Sequence, residues 1–160
     1  MNEHTPIETN SPRPMRQEQE PASKEITEVA KGIYRFQLPI SMPGLGHVNC
    51  YALEDSKGLS LVDPGLPGNE SWNALESRLK DLGTNFNYVH TTIVTHSHVD
   101  HYGGVHRLRD EYDVEVLTHS SFSSVFGNDD IMEDPDAASL DLADDEDIEK
   151  LREMLSRPTP

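Results

Sequence analysis

The segment Tyr88-Val89-His90-Thr91-Thr92-Ile93-Val94-Thr95 is rich in β-branched residues and runs without a break into His96-Ser97-His98-Val99-Asp100-His101-Tyr102-Gly103-Gly104. β-branched side chains suit a pleated surface, so the first part reads as a strand. The histidines therefore stand at a strand's C-terminal end. Gly103 and Gly104 then let the backbone turn sharply and open a helix close to that end, where Val105, Leu108 and Tyr112 mark an apolar face. Three of the chain's eight histidines fall between positions 96 and 101 beside an aspartate, which sets this stretch apart from an ordinary solvated loop.

The spacing carries chemistry. In an extended segment, residues two apart point to one side, so His96 and His98 can turn two imidazole nitrogens toward one metal ion. Asp100 and His101 follow the turn and can face a second point. Two imidazoles for one ion and a carboxylate plus imidazole for another would suit paired cations about 3.5 to 4 Å apart. Zinc fits this donor set, and iron or manganese is compatible with it as well. Cys50 is the only cysteine, so an intramolecular disulfide and a thiolate zinc cage are both excluded. It reads as a small core residue.

The flanking sequence predicts an α+β domain. Residues 1–24 carry Pro6, Pro12, Pro14 and Pro21 among polar residues and read as a disordered tail. Ile33 to Leu38 alternates like a strand closed by Pro39 and the Pro43-Gly44 turn. Val48 to Leu53 and Leu59 to Val62 flank the turn Asp55-Ser56-Lys57-Gly58 as a hairpin. Trp72, Leu75, Leu79 and Leu82 recur at helical steps up to Gly83, and Val114 to Leu117 reads as a further strand. The domain is taken as 25–127. Residues 128–160 form an acidic linker and helix, with Ile148, Leu151 and Leu155 on one face and Asp144 to Asp147 at its start, where the macrodipole favours negative charge.

A formal net charge of −16 disfavours nucleic acid as a partner, because phosphate binding relies on Lys and Arg displacing counterions. The N-terminus lacks the apolar core of a secretory signal, and no stretch is long enough to span a bilayer. The expectation is a cytoplasmic protein acting on a small-molecule substrate, without nucleic acid or membrane.

The stretch His96-x-His98-x-Asp100-His101 after a strand resembles the signature of the metallo-β-lactamase superfamily. The likeness extends to Gly46-His47-Val48-Asn49-Cys50-Tyr51 and to the turn Asp63-Pro64-Gly65, and covers about Ile26 to Leu117. It implies the N-terminal half of an αββα sandwich with the metals at one edge. By that resemblance His96 and His98 bind the first zinc, Asp100 and His101 the second, and Asp63 braces the motif loop. The implied activity is hydrolysis of a small ester, thioester or lactam by a metal-bound hydroxide, with Asp100 orienting the nucleophile. Family members complete the two metal shells with a further His, a bridging Asp and a last His downstream. His119 is the only histidine after His106 and is not assigned to metal. His47, His90 and His106 read as structural or solvated. The alternative is a truncated, non-catalytic remnant with partial metal binding or an interaction role. Half a sandwich should also leave an apolar sheet face uncovered.

Overall fold

A computed structural model describes residues 15–123. The acidic linker and helix expected over 128–160 lies outside the described residues. Six strands form one sheet in sequence order: β1 (Thr27–Ala30), β2 (Ile33–Met42), β3 (Leu45–Glu54), β4 (Leu59–Val62), β5 (Val89–Ile93) and β6 (Glu115–Leu117). Strands β1 to β4 pair antiparallel, whereas β4 with β5 and β5 with β6 are parallel. Parallel neighbours need crossovers, and helices supply them. Helix α1 (Asn69–Asp81) joins β4 to β5, and α2 (Val99–Tyr102) with α3 (Val105–Tyr112) joins β5 to β6. Hairpins first and β–α alternation afterwards is the order the sequence predicts.

Register explains the core. Phe36 pairs with Cys50 and Leu38 with Val48, while Ala52, Leu61, Thr92 and Val116 line up across four strands. Partners in register share a face, and all of these except the half-buried Val116 are buried. Trp72, Leu75 and Leu79 of α1 and Val105 and Leu108 of α3 close over this side as one apolar cluster. Trp72 also stacks on Phe86 with ring centroids 4.3 Å apart, and the Arg107 guanidinium lies 4.1 Å above the indole, fastening α1 to α3. On the opposite side Arg35, Tyr51, Val62, Ile93 and Leu117 form another row in register, and none of them is fully buried. Leu117 is 47% exposed. Among the described residues this partly apolar face is left uncovered, as the sequence predicts.

Three details depart from the sequence reading. Strand β2 does not close at Pro39; it passes through it, pairs Pro39 with His47 and breaks register before Met42. An irregular register is where a strand tolerates a missing N–H. The short edge strand β1 carries no apolar alternation and leaves no pattern to read. Within the stretch expected to be a tail, residues 16–24 lie against β3. A 3-10 turn at Gln17–Gln19 precedes Glu20, whose carbonyl accepts from His47 Nδ1 at 2.7 Å, and Arg78 Nη2 donates to the Ser23 carbonyl at 3.0 Å. Gly46 permits that approach, since a methyl group there would overlap the Glu20 carbonyl. Polar contacts hold this segment, so its apolar content gives no sign of it. Among the described residues no helix is long and apolar enough to cross a membrane.

Candidate metal centre

Strand β5 ends at Ile93, so His96 and His98 lie in a loop and not on the extended strand that their spacing predicts. Side-chain alternation therefore does not orient them. Asp63 organises the loop. It follows β4 with a left-handed backbone (φ 54°), and its amide donates to the Ile93 carbonyl at 3.0 Å. Its Oδ1 accepts from the Thr95 amide at 2.9 Å, and its Oδ2 accepts from the Thr95 hydroxyl at 2.7 Å and from His101 Nδ1 at 3.0 Å. Thr95 Oγ1 in turn lies 2.8 Å from His96 Nδ1. One buried carboxylate thus ties the end of β4, the loop after β5 and helix α2 together.

The turn after Asp63 carries α2 directly. Gly65 and Tyr102 form an isolated parallel bridge, and the Gly104 amide donates to the Gly65 carbonyl at 3.1 Å. Backbone meets backbone at this seam because Gly103 and Gly104 have no side chain: a methyl on Gly104 would stand 2.6 Å from the Pro64 carbonyl oxygen. His98 stands just before α2, its carbonyl accepting from the His101 amide, and the helix carries Asp100 and His101.

The motif side chains converge. Ring centroids of His96 and His101 are 4.0 Å apart, those of His96 and His98 4.6 Å, and those of His98 and His101 6.4 Å. His101 Nε2 lies 3.5 Å from Asp100 Oδ2. The closest pair of rings is thus His96 with His101, drawn from the two halves of the motif. Asp63, His96 and His101 each place a donor atom within 4.8 Å of the other two, a spacing that could hold an ion. Asp63 and Asp100 are buried while His96 and His98 are exposed, so imidazole edges face solvent above a floor of carboxylate. His90 is held by Asp55 and Thr91, and His119 by Ser121. Thr95 is the residue that sequence reasoning passed over; only its place beside His96 could have marked it.

Electrostatics sorts the titrating groups. Burial and the neighbouring His101 and His98 lower the pKa of His96 against the pull of Asp63 and Asp100, which keeps that ring neutral. For His101 burial acts the same way, but the hydrogen bond to Asp63 and the charges of Asp100 and Asp63 outweigh it and raise the pKa. For Asp63 burial opposes ionisation, yet the hydrogen bonds from His101 and Thr95 prevail and lower the pKa. In the metal-free chain the Asp63 contribution is present above the unfolded carboxylate value near pH 3.9 and fades as pH falls through the lower folded value. The His101 contribution is full below the unfolded value near pH 6.5 and is lost as pH rises through the higher folded value. Thermal melts of metal-free protein should therefore show the pair's largest stabilisation between about pH 4 and pH 6.5 and a decline above it. In Asp63→Asn that decline should flatten; an unchanged profile would contradict the assignment.

A family model described as the metallo-beta-lactamase superfamily matches residues 43–157. The chain belongs to the metallo-β-lactamase superfamily. It is also similar to the uncharacterized protein YobT of Bacillus subtilis, with 33% identity over 66 residues, covering 41% of this chain and 26% of that protein. Among solved structures, a metallo-beta-lactamase family protein of Thermus thermophilus shares 38% identity over 50% of this chain and 26% of its own, with a TM-score of 0.47. The metallo-beta-lactamase GOB-18 of Elizabethkingia meningoseptica shares 22% identity over 66% of this chain and 35% of its own, with a TM-score of 0.49. The chain thus spans about a quarter of the curated relative it matches. Superfamily membership supports a metallo-hydrolase type of function in general.

Proposed function

We propose that this chain supplies the metal-binding edge of a metal-dependent hydrolase that attacks a small ester, thioester or lactam. The observation that carries the reading is the gathering of Asp63, His96 and His101, whose donor atoms lie within 4.8 Å of one another, with the His98 ring 4.6 Å from that of His96 and Asp100 3.5 Å from His101. The donor set suits a divalent ion: His96 is kept neutral, and imidazole with carboxylate matches zinc, with iron or manganese compatible. His96, His98, Asp100 and His101 would hold the metal, two zinc ions in the complete enzyme.

Such an ion, once bound, supplies Lewis acidity, lowering the pKa of a coordinated water to about 7 and polarising the bond under attack. The chain's own residues do the rest. Asp63 commits its oxygens to Thr95 and His101, and so acts as a brace for the loop and for α2. Asp100, buried at the floor beside His101, offers an acceptor that orients the attacking water. The exposed edges of His96 and His98 leave the substrate side open. The net charge of −16 favours a small molecule over a nucleic acid.

A partial centre that binds metal without turnover is the competing reading. It draws support from His119, which is turned to Ser121 and adds no further imidazole to the centre. Zinc-loaded protein should hydrolyse a generic activated ester, and His98→Ala should bring the rate down to that of metal-free protein. Turnover that survives His98→Ala would count against the hydrolase reading.

A further inference from the structure

We infer that Thr95 is a positioning residue: its hydroxyl relays the Asp63 carboxylate to His96 and keeps the His96 hydrogen on Nδ1, leaving Nε2 bare as a ligand atom. The inference rests on His96 being a metal ligand, as proposed above. It follows from donor and acceptor counting. An ionised carboxylate only accepts hydrogen bonds, so the single Thr95 hydroxyl hydrogen, 2.7 Å from Asp63 Oδ2, points to that oxygen. The hydroxyl oxygen is then left to accept, and the nitrogen 2.8 Å away, His96 Nδ1, must carry the hydrogen.

The same carboxylate treats His101 directly. Nδ1 of His101 lies 3.0 Å from Asp63 Oδ2 and donates to it, which frees Nε2 of the neutral ring. Asp63 thus sets the tautomer of two imidazoles, one in a single step and one through Thr95. The Thr95 amide donates to Asp63 Oδ1 at 2.9 Å, so the relaying hydroxyl is anchored by its own backbone. His98 lies outside this network: the Asp63 and Thr95 contacts reach only His96 and His101. A neutral imidazole free in water favours the hydrogen on Nε2, so without the relay His96 would offer the wrong nitrogen.

Long-range proton–nitrogen NMR correlation on 15N-labelled, metal-free protein, at a pH raised until both rings are neutral because the His101 pKa lies above the ordinary imidazole value, reads the tautomer of each ring. Wild type should show the His96 and His101 hydrogens on Nδ1. Thr95→Val should move the His96 pattern toward Nε2 and leave His101 unchanged, while Thr95→Ser should retain the wild-type pattern. Zinc affinity should fall about 10- to 100-fold in Thr95→Val and recover in Thr95→Ser. A wild-type His96 carrying its hydrogen on Nε2 overturns the relay and needs no variant. So does a Thr95→Val protein with the wild-type pattern. Should Thr95→Val fail to fold, the wild-type and Thr95→Ser spectra decide. Wild-type protein that takes up no zinc yet keeps the His96 hydrogen on Nδ1 supports the relay and overturns the hydrolase reading.

Discussion

Gly103→Ala is expected to destabilise the chain by about 1–3 kcal/mol, the range for forcing atoms into a filled space, and to weaken metal binding with it. The added methyl would overlap the Pro67 ring and backbone and stand 2.6 Å from the Leu66 carbonyl carbon. Backbone conformation is not the obstacle, because Gly103 already has right-handed helical angles that alanine prefers (φ −60°, ψ −27°). The cost comes from pushing α2 off the loop after Asp63, and α2 carries Asp100 and His101. Gly83→Ala is the informative comparison. Nothing lies within 4 Å of a methyl there, but φ is +85°, so its penalty of about 1–2 kcal/mol is one of backbone strain and leaves the centre intact. Urea unfolding together with zinc titration separates the two. A Gly103→Ala protein with wild-type stability and affinity would refute the seam as the device that places α2.

Asp63→Ala should cost about 1–3 kcal/mol, since it removes the buried acceptor of the Thr95 amide, the Thr95 hydroxyl and the half-buried His101 Nδ1. Alanine also resists the left-handed backbone at this position, where φ is 54°. Asp63→Asn separates those contributions, because asparagine tolerates that conformation and keeps the shape while losing the charge. It should fold better than Asp63→Ala and yet bind zinc about 10- to 100-fold more weakly than wild type. Equal zinc affinity in Asp63→Asn and wild type would show that the brace has no hold on the ligands.

What was legible in the sequence was whatever repeats on a period. Trp72, Leu75 and Leu79 mark α1 because a helix must bury one stripe, and the apolar strands β3 and β4 show their inner face as Val48, Cys50 and Ala52, then Leu59 and Leu61. The motif itself was legible because metal chemistry demands a dense set of imidazole and carboxylate. The orientation of its side chains was not. Alternation holds only within a strand, and β5 stops at Ile93, so the facing of His96 is set by Thr95 and Asp63 and not by period. The seam between Gly65 and Gly104 was equally hidden, since two backbones meet there and leave only glycines as a trace. Residues 16–24 escaped because hydrogen bonds to His47, Gln37 and Arg78 hold them, and Pro21 and Ala22 are too little apolar surface to mark the segment in the sequence.

Cobalt(II) titration of the metal-free chain, followed by visible absorption, tests most directly whether the motif grips a cation, because cobalt accepts the same imidazole and carboxylate donors as zinc. Bands of protein-bound cobalt should saturate at a fixed stoichiometry, give way to zinc and vanish in a His96→Ala, His101→Ala double variant. A spectrum no different from cobalt in buffer, or one that the double variant leaves intact, would contradict a cation site at these residues.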